Sequence, residues 1–289
     1  MSNKDTSFAK KIRPVVCGNK IFDFSTPKIM GVLNLTPDSF YDGGKFHQEK
    51  LRKEQTEKML REGADIIDMG AVSTRPGARL IDEEEELRRI IGPLQRLIDE
   101  FPEAIFSIDT FRSAVARECV LNGAHMINDI SGGNFDQKMF ATVAELNVPY
   151  ILMHMHGTPE NMQQTPIAEN IIEIIRQFFT EKVTALQNAG VKDIILDPGF
   201  GFGKTLESNY TILNHFEELR IGHLPLLAGV SRKSMVNKVI DTQPSEALNG
   251  TTVLNTITLL NGANILRVHD VKEARETIDI VQFARENSV

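Results

Sequence analysis

The feature that most constrains this chain is an alternation repeated eight times from residue 28 onward. A short apolar, β-branched run ends in polar residues or glycine, and a longer amphipathic segment follows it. The runs are 28–36 (KIMGVLNLT), 65–72 (DIIDMGAV), 105–110 (IFSIDT), 126–131 (MINDIS), 150–155 (YILMHM), 193–199 (DIILDPG), 225–231 (PLLAGVS) and 265–270 (ILRVHD). Near-continuous apolar runs of this kind suit parallel strands buried on both faces. Helices are predicted over 49–62, 82–100, 167–189, 206–219, 245–260 and 271–285, where apolar residues recur every three or four positions among charges. The acidic cluster at 82–86 opens the second of these, where the positive end of the helix dipole favours anions, and reads as a solvated helix start. Gly63, Gly123, Gly190 and Gly262 stand where a left-handed helix cap is expected before the next strand.

Eight strand–helix units in strict alternation predict an α/β fold, a single (β/α)8 TIM barrel with right-handed crossovers. A doubly wound open sheet is the alternative, but it usually has fewer strands and one dominant phosphate loop. Here every strand end carries reactive residues. Ahead of the barrel, the apolar residues at 15–17 and 21–24 flank Gly18 and Asn19 and read as a short N-terminal β-hairpin closing one end. The expected division is 1–27 for the hairpin segment and 28–289 for the barrel. A chain of 289 residues buries about 75% of its extended surface and needs no disulfide or metal to hold its core. Cys17 and Cys119 lie in no CxxC pattern and read as reduced thiols. Residues 1–14 have no apolar leader, and no run approaches the roughly 20 residues of a membrane helix, so a cytoplasmic protein without membrane partners is expected. The net charge of −7 argues against nucleic acid as a partner and leaves room for a local anion pocket.

Barrel enzymes keep their chemistry at the C-terminal ends of the strands. Those positions hold Asn34 and Asp38, Thr74 and Arg75, Asp109, Asn128, His154 and His156, Asp197, Lys233, and Arg267 with His269. Any one of them can be no more than a cap for the following helix, as Asp109 with Thr110 or Asn34 with Thr36. Capping does not explain Arg75, Lys233, Arg267 and His269. Two motifs mislead. GFGFGKT at 199–205 has Pro198 where a phosphate loop needs its first glycine, and its spacing also misses GxGxxG. It reads as a tight turn that aims Asp197 and Phe202 into a pocket. His154 and His156 form an HxH pair that a strand would put on one face. A zinc hydrolase needs further ligands, and His269 is the one distant histidine at a strand end, so structural or substrate-adjacent histidines fit better.

The ordered motifs GVLNLTPDSFYDGG (31–44), STRPGA (73–78), SIDT (107–110), NDI (128–130), LDPGFGFG (196–203), GVSRKS (229–234) and LRVHD (266–270) resemble those of the dihydropteroate synthases, the folate-pathway enzymes inhibited by sulfonamides. The resemblance runs from about residue 28 to the C-terminus. Val72 departs from it, since many members carry Glu there. It implies a Mg2+-dependent transferase that joins p-aminobenzoate to the methylene carbon of 6-hydroxymethyl-7,8-dihydropterin diphosphate and releases diphosphate. By the same resemblance Asp109, Lys233 and Arg267 are catalytic. Thr74, Arg75, Asp109, Asn128, Asp197, Lys233, Arg267, Val268 and His269 bind the pterin diphosphate, Phe202 and Ser234 lie by the aminobenzoate, and Asn34 is the Mg2+ ligand. Loops at 37–44 and 75–79 are expected to order around substrates, and a homodimer is expected to pair through late helices.

The residue types suit that chemistry. A carboxylate such as Asp197 accepts two pterin N–H groups side by side, Asn128 donates and accepts, and Lys233 donates. Planar guanidinium groups match phosphate oxygens, and one amide oxygen suits a Mg2+ held mainly by phosphates and water. Two rival readings are a methyltetrahydrofolate-dependent methyltransferase on the same barrel and a catalytically silent pterin binder. The Lys233–Ser234 and Arg267–His269 pairs favour a diphosphate leaving group over a methyl donor.

Overall fold

The computed structural model describes residues 12–36, 45–73 and 80–287. Two antiparallel strands come first, β1 (Val15–Cys17) and β2 (Lys20–Phe22), paired Val15 to Phe22 around a turn in which Gly18 takes φ +57°. The eight apolar runs then form eight parallel strands: β3 (Lys28–Asn34), β4 (Ile66–Gly70), β5 (Phe106–Asp109), β6 (Met126–Asp129), β7 (Tyr150–Met153), β8 (Ile194–Asp197), β9 (Leu227–Ala228) and β10 (Ile265–Val268). Their spatial order is β8-β7-β6-β5-β4-β3-β10-β9. The ring closes where Leu196 bridges Leu226 and its N–H donates to the Pro225 carbonyl at 2.9 Å. The closed barrel, and not the open sheet, is the architecture.

Around it stand α1 (Lys45–Arg61), α2 (Glu83–Glu100), α3 (Ser113–Leu121), α4 (Met139–Leu146), α5 (Ile171–Ala189), α6 (Leu206–Asn214), α7 (Ser234–Ile240), α8 (Leu248–Leu260) and α9 (Val271–Glu286). Gly63, Gly123, Gly190 and Gly262 take φ between +94° and +100°, as their place before each strand requires. The helix expected over 206–219 is two pieces, α6 and the 3-10 turn Phe216–Leu219, joined at His215. The one expected from 167 starts only at Ile171, because Asn170 enters the left-handed region at φ +54°. α7 has seven residues and buries only Met235 and Val236, too little for a period to show in the sequence.

Strand residues alternate between inside and outside. Outward residues such as Ile29, Ile67, Ile108 and Leu266 pack on helix residues such as Ile90, Val115, Phe179 and Ile278. Each fully buried side chain of this kind contributes roughly 1.5–3 kcal/mol. Inside, each strand run supplies one residue to a basal apolar layer: Met30, Ile66, Ile105, Met126, Ile151, Ile195, Leu227 and Ile265. Val15, Cys17 and Phe22 of the hairpin, with Phe24, pack against that layer and close the end, and the Arg13 N–H ties the segment to the His223 carbonyl at 2.8 Å. Two residues further along each run, the inward set is Val32, Asp68, Ser107, Asn128, Met153, Asp197, Gly229 and Arg267. An apolar floor therefore carries a largely polar layer directly above it, facing the open end.

Candidate active site

Arg267 is the hub of the polar layer. Its Nε donates to Asp68 Oδ2 at 2.7 Å and its Nη2 to Asp109 Oδ2 at 2.8 Å. Asn128 Nδ2 donates to the same Asp68 oxygen at 3.0 Å. These four side chains come from β4, β5, β6 and β10, which the barrel alone brings together. Burial works against the guanidinium charge, but Asp68 and Asp109 outweigh it and hold Arg267 firmly protonated. Burial pushes Asp109 up, to about 7, against the pull of Arg267 and with the push of the Asp68 carboxylate.

The second half of the site hangs on the turn after β8. Asp197 Oδ1 accepts the Gly199 N–H at 2.7 Å, and burial raises its pKa while the nearby Lys233 lowers it. Lys233 Nζ donates to the Phe200 carbonyl at 2.5 Å and stands 4.8 Å from the centre of the Phe202 ring. Burial depresses Lys233 to about 8, with Asp197 opposing. Lys204 fastens the turn from beneath, its Nζ reaching the carbonyls of His154, Gly199 and Phe202 at 3.2, 2.8 and 3.0 Å. The turn is as tight as the backbone allows. Gly199 takes φ +68°, and a Cβ there would stand 2.1 Å from the His154 carbonyl oxygen. Gly199→Ala should cost about 2–4 kcal/mol, from left-handed strain plus the clash. In thermal melts that is a fall of about 3–7 °C for a chain of this size. Gly190→Ala, with φ +97° and nothing within 4 Å of a Cβ, should cost about 1 kcal/mol from strain alone. Equal losses in the two variants would show that the His154 contact is not what requires glycine at 199.

The structure brings Asp109, Asn128, Asp197, Lys233, Arg267 and Phe202 to one mouth. Asn34 ends β3 and neighbours Gly70, which in turn neighbours Asp109. His269 lies just past β10, with Nδ1 3.1 Å from Ser231 Oγ, and Ser234 begins α7 with its side chain exposed. The Val268 side chain is wholly buried among the outward core residues, so its peptide is what it can offer the mouth. Thr74 and Arg75, and the loops at 37–44 and 75–79, lie outside the described residues.

Other expectations also change. β7 ends at Met153, so His154 and His156 are not on a strand and do not share a face. His154 is buried with its ring edge-on to Phe178 at 5.0 Å, and burial pushes it down to about 2, with Lys204 adding to the shift; His156 is exposed. Among the described residues no group of three or more His, Cys, Asp or Glu is placed to hold a metal. The acidic start of α2 is not wholly solvated either. Asp82 caps the helix by accepting the Glu85 N–H at 2.8 Å, but Glu86 is buried, accepting from Thr110 Oγ1 at 2.6 Å and from Arg112. It braces the loop that follows Asp109.

Sequence reasoning missed Asp68. It sits two residues before the end of its strand, and the signal was a charged residue inside an otherwise apolar run. The sequence model of the family described as "Pterin binding enzyme" matches residues 30–269. Dihydropteroate synthase of Escherichia coli K12 is 41% identical over 270 residues, 92% of this chain and 95% of that protein. The Synechocystis dihydropteroate synthase is 43% identical over 263 residues, 90% and 91% of the two chains. Among solved structures, Yersinia pestis dihydropteroate synthase in a sulfonamide drug complex has a TM-score of 0.89 at 39% identity, covering 95% of this chain and 100% of the other. Xanthomonas albilineans dihydropteroate synthase with 4-aminobenzoic acid gives 0.89 at 34% identity, covering 96% and 100%. Relatives of this identity along nearly the whole length, on a matching fold, mean that the chain belongs to the dihydropteroate synthase family.

Proposed function

We propose that the polar layer divides the family's reaction between a pterin-reading half and a leaving-group half. The chain condenses 6-hydroxymethyl-7,8-dihydropterin diphosphate with p-aminobenzoate to give 7,8-dihydropteroate and diphosphate. The observation that carries the division of roles is the half-buried Arg267 held between two carboxylates beside Asn128, opposite Asp197 and Lys233.

Asp197 and Asn128 read the hydrogen-bonding edge of the pterin, and Lys233 donates to the ring. Buried groups of this kind reject a ring lacking the matching donors, because they would be left unpaired. The aminobenzoate nitrogen uses its lone pair to form a bond to the pterin methylene carbon. The C–O bond to diphosphate breaks with its electron pair on the leaving oxygen, and the nitrogen sheds a proton. Arg267, His269 and Arg75 stabilise the departing charge, and Asp109 stabilises the positive charge that develops on the pterin. Phe202 and Ser234 flank the aminobenzoate. No protein nucleophile takes part.

Asn34 is the ligand this chain would offer Mg2+. One amide oxygen suits an ion held mostly by diphosphate oxygens and water. Bound there, Mg2+ would neutralise charge on the leaving group. A homodimer is supported by a run of exposed apolar side chains on the last three helices: Val239 and Ile240, Val253 and Leu260, Ile280 and Phe283. A cytoplasmic setting is supported by two free, buried cysteines. Among the described residues no helix is long and apolar enough to cross a membrane.

The test is diphosphate release by the purified protein given the pterin diphosphate, p-aminobenzoate and Mg2+, with each omitted in turn. Release should require all three; release without aminobenzoate would instead mark a hydrolase. A pH profile probes Lys233. With its pKa near 8, the donor is present below that pH and lost above it, so kcat/KM for the pterin diphosphate should fall as pH rises through about 8. Lys233→Arg keeps its proton and should remove the alkaline limb. An unchanged limb in that variant would assign the ionisation elsewhere.

A further inference from the structure

We infer that Asp68 is a positioning residue, which fixes the hydrogen-bonding face that Asn128 shows the pterin and holds the plane of Arg267 for the leaving group. The inference rests on the roles proposed above for those two residues. Asp68 is fully buried on β4, below the strand ends, and its side chain has no access to the mouth. One oxygen, Oδ2, takes both Arg267 Nε and Asn128 Nδ2. The other, Oδ1, is buried without a partner among the described residues, as is Oγ of Ser107, its register neighbour on β5. A carboxylate left half-satisfied in this way is an expensive structural element, since burying an ion is repaid only when its lone pairs are filled. What it does hold is informative.

A primary amide can turn over, exchanging its donor and acceptor sides, and nothing in its own shape prevents this. An ionised carboxylate accepts only. With Asp68 beneath it, Asn128 must point its NH2 downward, and its carbonyl oxygen and second N–H are left for the substrate. The same oxygen pins Nε of Arg267 while Asp109 pins Nη2. Two anchors on different nitrogens fix a rigid plane, and Nη1 makes no hydrogen bond to any described residue. Asp68 thus joins the pterin-reading half of the site to the leaving-group half through a single atom.

Asp68→Asn keeps the shape and one acceptor oxygen but loses the charge and gains a donor, so the Asn128 amide can pair with it in either orientation and is free to turn. Calorimetry with 6-hydroxymethylpterin, which has no phosphate, should show affinity about 30-fold weaker, the size of one charge-assisted hydrogen bond. Inorganic diphosphate should also bind more weakly through the loosened Arg267. In an Asn128→Ala background, Asp68→Asn should change pterin affinity less than about twofold, because the route through Asn128 is already gone. Normal pterin affinity in folded Asp68→Asn, or losses that add in the double variant, would overturn the inference. Normal affinity in Asn128→Ala alone would overturn it together with the assignment of Asn128 to the pterin, which separates the two failures. Should Asp68→Asn not fold, the wild-type protein decides. The Asn128 side-chain amide, assigned in a nitrogen-15 spectrum by its absence in Asn128→Ala, should have one proton strongly protected from exchange. Two rapidly exchanging protons would count against the Asp68 bond.

Discussion

Replacing Arg267 by alanine is expected to lower kcat/KM for the pterin diphosphate by about 1,000-fold, the scale of losing a preorganised donor at a site of developing negative charge. Two effects act together. The leaving group loses a fixed cation, and two carboxylates lose the charge between them. Asp68 has no route to water and is left an uncompensated buried ion, a loss of about 3–5 kcal/mol in stability. Asp109, already pushed up by burial, loses the partner that pulled it down and goes higher still. It would then be protonated at neutral pH and unable to stabilise a cation. The variant should therefore be slow and less stable, melting about 5–8 °C lower. Arg267→Lys separates the two effects. It returns a charge but cannot span Asp68 and Asp109 with two nitrogens of one plane, so stability should recover more than turnover. Steady-state kinetics and melts on both variants read this directly, and unimpaired kcat/KM in the alanine variant would remove Arg267 from the reaction.

Asp197→Ala should act on binding. The side chain takes one backbone N–H from its own turn, and its second oxygen is available to the pterin. Its removal takes away a charged acceptor and leaves the ligand's N–H groups unpaired in a buried site, which should weaken pterin affinity by about 1,000-fold. The melting temperature should move far less than in Arg267→Ala, because burial penalises the Asp197 charge in the fold. Lys233 also loses the charge that held it up and should fall below about 8. Calorimetry that found normal pterin affinity would show that the ring is read elsewhere.

Much of this was legible in the sequence. The barrel could be read because its strands are buried on both faces and so appear as eight unbroken apolar runs, six of them followed by a segment of clear helical period. The site could be read in part because motifs such as LDPGFGFG and LRVHD put charge where a structural barrel has none. The missing parts share a cause. Asp68 was hidden because depth along a strand is a property of the closed barrel: a residue two places before a strand end looks like core until neighbouring strands bring Arg267 and Asn128 against it. Glu86 was hidden in a run of similar residues, and only the packing of α2 on the end of β5 singles it out. Alternation along β10 turns the Val268 side chain outward, which leaves its peptide for the mouth. The HxH pair misled because the strand stops one residue before it begins.

The hairpin seated on the basal layer has a consequence for traffic. A tube stoppered at one end has one doorway, and whatever occupies its floor must pass the rim first. On the roles proposed above, the pterin, read by the polar layer next to the floor, has to arrive before an aminobenzoate held nearer the rim by Phe202 and Ser234, and the joined product has to back out whole. On that reading the order of arrivals and departures follows from which end Val15, Cys17 and Phe22 close.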